Sequence, residues 1–250
     1  MNSSFKSFVK SIPPLHKLLR GAKSGLTRLL ELDERFYTLS PDVLVAIVKA
    51  FNLQRQAATT SGRDLLSGHA YYEFGLFKGF SFWFAEQVAR EYTDSSFRLL
   101  GFDSFEGLPQ PQLEVEAKSF REGDFRGTYE VVTGNLHRWK TDFSRIQLHK
   151  GFYSDRLFDE LRKNEQFPSA SIVLIDVDLY ESCVPVLEFI KPYLVEGTIL
   201  LFDDYNQMGP DDNSGERRAL IEFESRNPGF EKEYLWDYGW EGVAFRVVSV

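Results

Sequence analysis

Two runs of Ile, Val and Leu, SIVLIDVDLY and TILLFDDYN, break off into aspartates: Asp176 and Asp178 after the first, Asp203 and Asp204 after the second. Such near-continuous apolar runs are the pattern of parallel strands buried on both faces, so the acids mark strand exits. Upstream, LSPDVLVAIVKAFNLQRQ has helical spacing, with Ser40 as cap and Pro41 at the favoured first position. AYYEFG predicts a short strand ending near Glu73, GFSFWFAEQVAREYT a helix, and FRLLGFD a strand ending at Asp103. After the turn-rich SFEGLPQPQ, the polar stretch over about 110–134 has no long apolar period and predicts an insertion able to close over a crevice. RIQLHKG and DRLFDELRKN follow as strand and helix, ESCVPVLEFIKPYLVEG as a crossover helix between the two apolar runs, and GERRALIEFESRN as a last helix. EYLWDYGWEGVAFRVV predicts two antiparallel edge strands joined at Tyr238-Gly239. The alternation calls for an α/β fold: a doubly wound, mostly parallel, Rossmann-like sheet with a C-terminal antiparallel hairpin, in one domain over 36–250.

Composition narrows the partners. With 29 Lys and Arg against 37 Asp and Glu, the 250-residue chain carries a formal charge of −8, which disfavours nucleic acid. The single Cys183 has neither a disulfide partner nor a Cys/His companion, so structural zinc is unsupported and a reducing, cytoplasmic setting is expected. No apolar stretch approaches the ~18 residues that span a bilayer, and the first residues show no h-region followed by small residues, so a soluble, unexported protein is expected. Residues 1–35 differ in being basic, with Lys6, Lys10, Lys17, Arg20, Lys23 and Arg28 preceding the first acid, Glu31. They predict a helical extension packed on the domain or on a second subunit; membrane contact is the less favoured alternative, since Pro13 and Pro14 interrupt the amphipathic pattern.

In an open α/β sheet the carboxyl ends of the strands form the ligand crevice, and converging carboxylates there suit a hard divalent cation. The competing reading, that each Asp caps its own turn, weakens when two clusters follow two buried strands. Glu73-Phe-Gly75-Leu-Phe-Lys-Gly79 joins strand to helix; Gly75 permits close backbone approach and Gly79 tight packing of the helix start. Asp103, at the end of the next strand, can accept from both ribose hydroxyls of an adenosine. G-x-x-x-G departs from the dinucleotide fingerprint, so a nucleoside without phosphates fits better. S-adenosylmethionine is such a ligand, with Glu73 near its sulfonium and amino groups.

Taken in order, E-F-G-x-x-x-G-F-S, F-D-S-F-E-G-L-P, K-G-F-Y-S-D-R-L, I-D-V-D-L-Y-E-S and F-D-D-Y resemble the macrocin and mycinamicin type of sugar O-methyltransferase over roughly residues 65–245. The resemblance implies a class I S-adenosylmethionine-dependent fold, Mg²⁺ at the acceptor, a glycosylated small-molecule substrate and a homo-oligomer. Carried over, Glu73, Gly75, Gly79 and Ser81 line the methionine end of the cofactor, Asp103 and Ser104 hold the ribose, and Gly151 and Asp176 complete the cofactor set. Asp176, Asp203 and Asp204 fall at the metal-ligand positions.

For the reaction, Asp176 is the candidate base; the alternative is that it only ligates metal and water or another group takes the proton. Catechol-type enzymes place a lysine three positions after the corresponding aspartate, where this chain has Leu179, which argues against a phenolic acceptor without excluding it. A non-catalytic relative is disfavoured because the acids are all present. Asp178 is expected to support the loop rather than ligate. Tyr180, Arg217, Arg218 and His137 have either a substrate or a structural reading, and His149 is expected to be structural. Trp236, Tyr238 and Trp240 offer either a face for a sugar or ordinary edge packing.

Overall fold

The computed structural model describes residues 41–208 and 214–250. The expected extension over 1–35 and the Ser40 cap lie outside the described residues. Helix α1 (Pro41–Ser61) starts at Pro41 as expected and continues past Gln56. In its last turn Thr60 and Ser61 donate their hydroxyls to the carbonyls of Gln56 and Ala57, both at 2.8 Å.

The chain then runs through β1 (Ala70–Phe74), α2 (Phe80–Tyr92), β2 (Arg98–Asp103), the single turn α3 (Glu114–Ala117), α4 (Tyr129–Arg138), β3 (Ile146–Lys150), α5 (Asp155–Asn164) and β4 (Ala170–Ile175). It finishes with α6 (Tyr180–Ile190), β5 (Ile199–Phe202), α7 (Gly215–Arg226), β6 (Glu231–Tyr238) and β7 (Gly242–Ser249). The strands form one sheet in the order β3-β2-β1-β4-β5-β7-β6. All neighbours are parallel except β7, which runs antiparallel to β5 and to β6. The strand order turns back between β1 and β4, which is where such sheets open a ligand crevice.

Alternation along the strands builds two cores. Tyr71, Leu99, Ile172 and Leu174 pack with α1, α2 and α4 on one face; Tyr72, Phe74, Val173 and Ile175 pack with α5, α6 and α7 on the other. The second face holds an aromatic stack in which Phe74 meets Phe102 at 4.8 Å and Phe158 meets Phe189 at 4.3 Å between centroids. Contacts of this kind add about 0.5–1.5 kcal/mol each beyond the area they bury. His149 belongs to this stack, lying on Phe102 at 4.6 Å.

The region expected to be an irregular insertion, 110–134, is more regular at its end. Helix α4 begins inside it, capped by Thr128, whose hydroxyl accepts from the Val131 amide at 3.3 Å. A boundary at Gly134 cut this helix in two because only Val132, Asn135 and Leu136 are buried along it, too few to show a period. Among the described residues no helix is long and apolar enough to cross a membrane.

Candidate active site

Strand register sets the site. Phe74 pairs with Phe102 and with Ile175, and Ile175 pairs with Phe202. The next residues, Gly75, Asp103, Asp176 and Asp203, therefore leave four adjacent strands at one level. At the switch point the exits of β1 and β4 touch: the Asp176 amide donates to the Phe74 carbonyl at 2.9 Å. A side chain on Gly75, at φ 92, would collide with the Asp176 carbonyl. Only glycine meets both conditions.

On the β1–β2 side, Glu73 is fully buried. Its Oε2 accepts the Tyr71 hydroxyl at 2.5 Å and its Oε1 the Ser81 hydroxyl at 2.6 Å. Burial pushes this carboxyl up to about 8 against the pull of those two donors. Asp103 accepts three amides: Leu76 at 2.7 Å and Phe77 at 3.2 Å on Oδ2, and Phe105 at 2.6 Å on Oδ1. A carboxylate has about four acceptor positions, so one is left for a ligand, fewer than both ribose hydroxyls need. Burial raises its pKa, and the amides oppose the rise. Phe77 sits at φ 48, a conformation costly for a bulky residue, and the bond to Asp103 helps to hold it there.

The neighbouring positions serve the same turn. Ser104 closes its own loop, accepting from the Glu106 amide at 3.0 Å and donating to the Gly107 carbonyl at 2.8 Å. Gly79 precedes α2 and faces Val132 and Leu136 of α4. Gly151 follows β3 and donates its amide to the Asp103 carbonyl at 2.9 Å, drawing the β3 exit beside that of β2.

On the β4–β5 side, Asp176, Asp178 and Asp204 each offer an oxygen, all within 4.8 Å of one another. Gln207 Nε2 donates to Asp204 Oδ1 at 2.9 Å and reaches Asp178 Oδ1 at 3.5 Å. Asp178, expected only as support, thus places its carboxylate in the group, on a backbone at φ 59. Asp203 stands beside the group: after burial, its charge is the largest of those that hold the Asp176 carboxyl far above its ordinary value, ahead of Asp204 and Asp178.

Two buried acids in the site escaped sequence reasoning. Glu216, in the first turn of α7, accepts from the Val177 and Asp204 amides, each at 3.2 Å, and so ties the β4 and β5 exits together. Burial and then the Asp204 charge raise its pKa strongly. Glu116, in α3, reaches across to the starts of α6 and α7, accepting from Tyr180 N at 3.0 Å and Gly215 N at 2.8 Å. Its position within a polar stretch carried no signal; Glu216 had a weak one, an acid in a first helical turn just after an acidic loop. The insertion also leans on the β1 turn, where Phe125 meets Phe77 edge-on at 6.0 Å and a side chain on Gly127 would strike the Phe77 carbonyl.

Other candidates are engaged within the chain. The Tyr180 hydroxyl donates to Glu222 at 2.6 Å, Arg218 lies over the Tyr180 ring at 4.1 Å, and Arg217 donates to Asn206 at 2.6 Å. His137 stacks on Phe143 at 4.0 Å. Trp236 takes Lys49 over its ring at 5.4 Å, whereas Tyr238 is buried against Gly242, so these two do not form one open face.

The acidic group fits a hard cation on its chemistry. Its donors are all oxygen, and burial together with the neighbouring carboxylates raises the pKa of Asp176 and of adjacent Glu216, a cost that a divalent ion would relieve. The opposite half fits a nucleoside with a positive centre, through the buried Glu73 and the remaining acceptor position of Asp103.

The chain is similar to several known methyltransferases. The 4'-O-methyltransferase of 8-demethyl-8-(2,3-dimethoxy-alpha-L-rhamnosyl)-tetracenomycin C from Streptomyces olivaceus is 28% identical over 139 residues, 53% of this chain and 51% of that protein. The chain thus spans about half the length of the curated relative it matches. The O-methyltransferase NovP superposes with a TM-score of 0.64 at 18% identity, covering 82% of this chain and 79% of its own. CalS11, the calicheamicin methyltransferase, superposes at 0.62 and 22% identity, covering 81% and 78%; it is described as a TDP-rhamnose 3'-O-methyltransferase. At these identities the two structures establish the fold, a class I methyltransferase sheet. The model of one family matches residues 29–246, and the chain belongs to that family, the macrocin-O-methyltransferases (TylF).

Proposed function

We propose that this chain transfers the methyl group of S-adenosylmethionine to a hydroxyl of a sugar or glycosylated natural product, with Mg²⁺ at the acceptor. The observation that carries this reading is the level row of Gly75, Asp103, Asp176 and Asp203, which sets a nucleoside half against an acidic half across one switch point. Family membership and the rhamnose chemistry of the tetracenomycin and calicheamicin enzymes support the acceptor class.

In this reading Glu73, Gly75, Gly79 and Ser81 hold the methionine end, and Asp103, Ser104 and Gly151 shape the ribose end. Asp176 and Asp204 would hold the ion, with Asp203, at the family's metal position, or Asp178, which lies in the same group, as the third ligand. A hydroxyl is a weak nucleophile because its pKa lies far above neutrality; a bound Mg²⁺ supplies Lewis acidity that lowers it. Asp176 then takes the hydroxyl proton as the oxygen–methyl bond forms and the sulfonium–methyl bond breaks, leaving S-adenosylhomocysteine. The paired strand exits of β1 and β4 bring donor and acceptor together, the positional part of the acceleration. A homo-oligomer, as the family resemblance implies, in a reducing cytoplasm completes the proposal; the free, buried Cys183 supports the reducing setting.

Isothermal titration with S-adenosylmethionine, with and without Mg²⁺, tests the reading, together with methyl transfer to TDP-rhamnose and rhamnosylated polyketides. Absence of cofactor binding under both conditions defeats it. Asp203→Asn and Asp178→Asn, compared for Mg²⁺ affinity and turnover, assign the third ligand, and a variant that keeps Mg²⁺ but loses turnover identifies the base.

A further inference from the structure

Tyr238, at the end of β6, has a buried hydroxyl with no hydrogen-bond partner among the described residues. Its ring is locked: it pairs in register with Gly242 of β7, and a side chain at Gly242 would run into it, so the hydroxyl cannot swing to solvent. An O–H left without a partner inside a protein is costly and calls for a group that supplies one.

Its surroundings name that group. Strand register places it beside the β5 exit: Tyr238 pairs with Gly242, and the next residue, Val243, pairs with Phe202, just before Asp203; the charges of Asp203, Glu216, Asp176 and Asp204 all act on the phenol. It also acts on Tyr71, the donor to Glu73, and therefore lies where the two halves of the site meet. None of these groups is within hydrogen-bond reach of the hydroxyl. An oxygen of a bound molecule that the acidic cluster draws in would supply the missing acceptor.

We propose that Tyr238 donates its hydroxyl hydrogen bond to the oxygen drawn in by the acidic cluster: water in the resting site, the acceptor's reacting hydroxyl during turnover. This rests on the methyltransferase reading above and adds a substrate-touching residue to it. Tyr238 shares the oxygen with the carboxylates, aims one lone pair away from the proton donor side, and disfavours acceptors that present carbon there.

Tyr238→Phe removes only the hydroxyl. In the full chain the variant should leave the ligand-free thermal midpoint nearly unchanged, because the partner lost there is a water, and should keep S-adenosylhomocysteine affinity within about twofold. The specificity constant kcat/KM for the acceptor should fall about tenfold or more, the value of one hydrogen bond made to the reacting oxygen. A lower midpoint with unchanged kcat/KM overturns the proposal, since that is the mark of a packing residue. A second readout needs no acceptor: in protein labelled with 3-fluorotyrosine, the ¹⁹F resonance missing from Tyr238→Phe should move on adding Mg²⁺ alone. A resonance that stays fixed while Mg²⁺ binds overturns the role of Tyr238, whereas a wild-type protein that binds no S-adenosylhomocysteine defeats the underlying reading instead.

Discussion

The two halves of the site solve the problem of a buried acid in opposite ways. On the β1–β2 side, Glu73 and Asp103 are met by donors of the protein itself: the Tyr71 and Ser81 hydroxyls for one, three backbone amides for the other. On the β4–β5 side, Asp176, Asp178 and Asp204 face each other, with Asp203 and Glu216 adding charge rather than relief. The first half is finished by the fold and has only to admit a ligand. The second gathers several carboxylates at the exits of β4 and β5, and a divalent cation would relieve their repulsion.

The largest effect should come from removing a carboxylate on the unfinished side. Asp204→Asn is expected to lower turnover on the order of a thousandfold, the scale of several kcal/mol that metal and electrostatic stabilisation contribute. Its cofactor affinity should stay near the wild-type value, because the donor half has its own hydrogen bonds. Parallel kinetics and calorimetry decide this; an equal loss of cofactor affinity would mean that the halves are not independent. Mg²⁺ at a hundredfold excess over its Kd should raise wild-type stability by about 2.7 kcal/mol, and fail to do so in Asp204→Asn.

The same contrast explains what was legible in the sequence. The strand exits were visible because Ile, Val and Leu runs end abruptly at Asp176 and Asp203, and local pattern encodes both the strand and its end. The doubly wound order followed from strand–helix alternation. Glu116 is not legible as a site residue, since it acquires its role from groups far away in the chain, the amides of Tyr180 and Gly215; Tyr238 is legible only as one of an aromatic cluster, not as a neighbour of the acids that follow β4 and β5. Asp178 was assigned a supporting role because spacing along one loop cannot show which way a residue at φ 59 directs its carboxylate. The three amides that Asp103 accepts, from Leu76, Phe77 and Phe105, come from loop conformations that no residue type announces.

A smaller effect separates the halves by pH. Glu73 titrates at about 8 in the folded chain against an ordinary 4.5, raised chiefly by burial. A carboxyl raised on folding binds its proton more tightly in the native state, so its contribution is full below the unfolded pKa and is lost as pH rises through the folded one. Between pH about 5 and 8 this one group should lower stability by roughly 1.4 kcal/mol per pH unit. Glu73→Gln, which keeps a neutral side chain of the same shape, should remove one proton's worth of that slope, as read from urea midpoints across the range. The acids of the β4–β5 side would leave a residual slope of the same sign, and Mg²⁺ should flatten that residue alone. A slope in Glu73→Gln identical to wild type would show that Glu73 is already ionised in the native chain.

The smallest expected change tests the seam between the halves. Gly75→Ala places a methyl group against the Asp176 carbonyl at a positive φ, and one of the two exits must shift. The cost should be about 1–3 kcal/mol of stability, typical of overpacking in a close contact. Its functional signature should differ from every other substitution here: cofactor affinity and Mg²⁺ affinity should both fall, because Gly75 opens the donor turn while its neighbour across the seam carries the acidic group. Calorimetry with each ligand in the absence of the other makes the comparison direct. Loss confined to the cofactor would place the yielding backbone on β1, and loss confined to Mg²⁺ would place it on β4, so the pattern reports which half is the stiffer one.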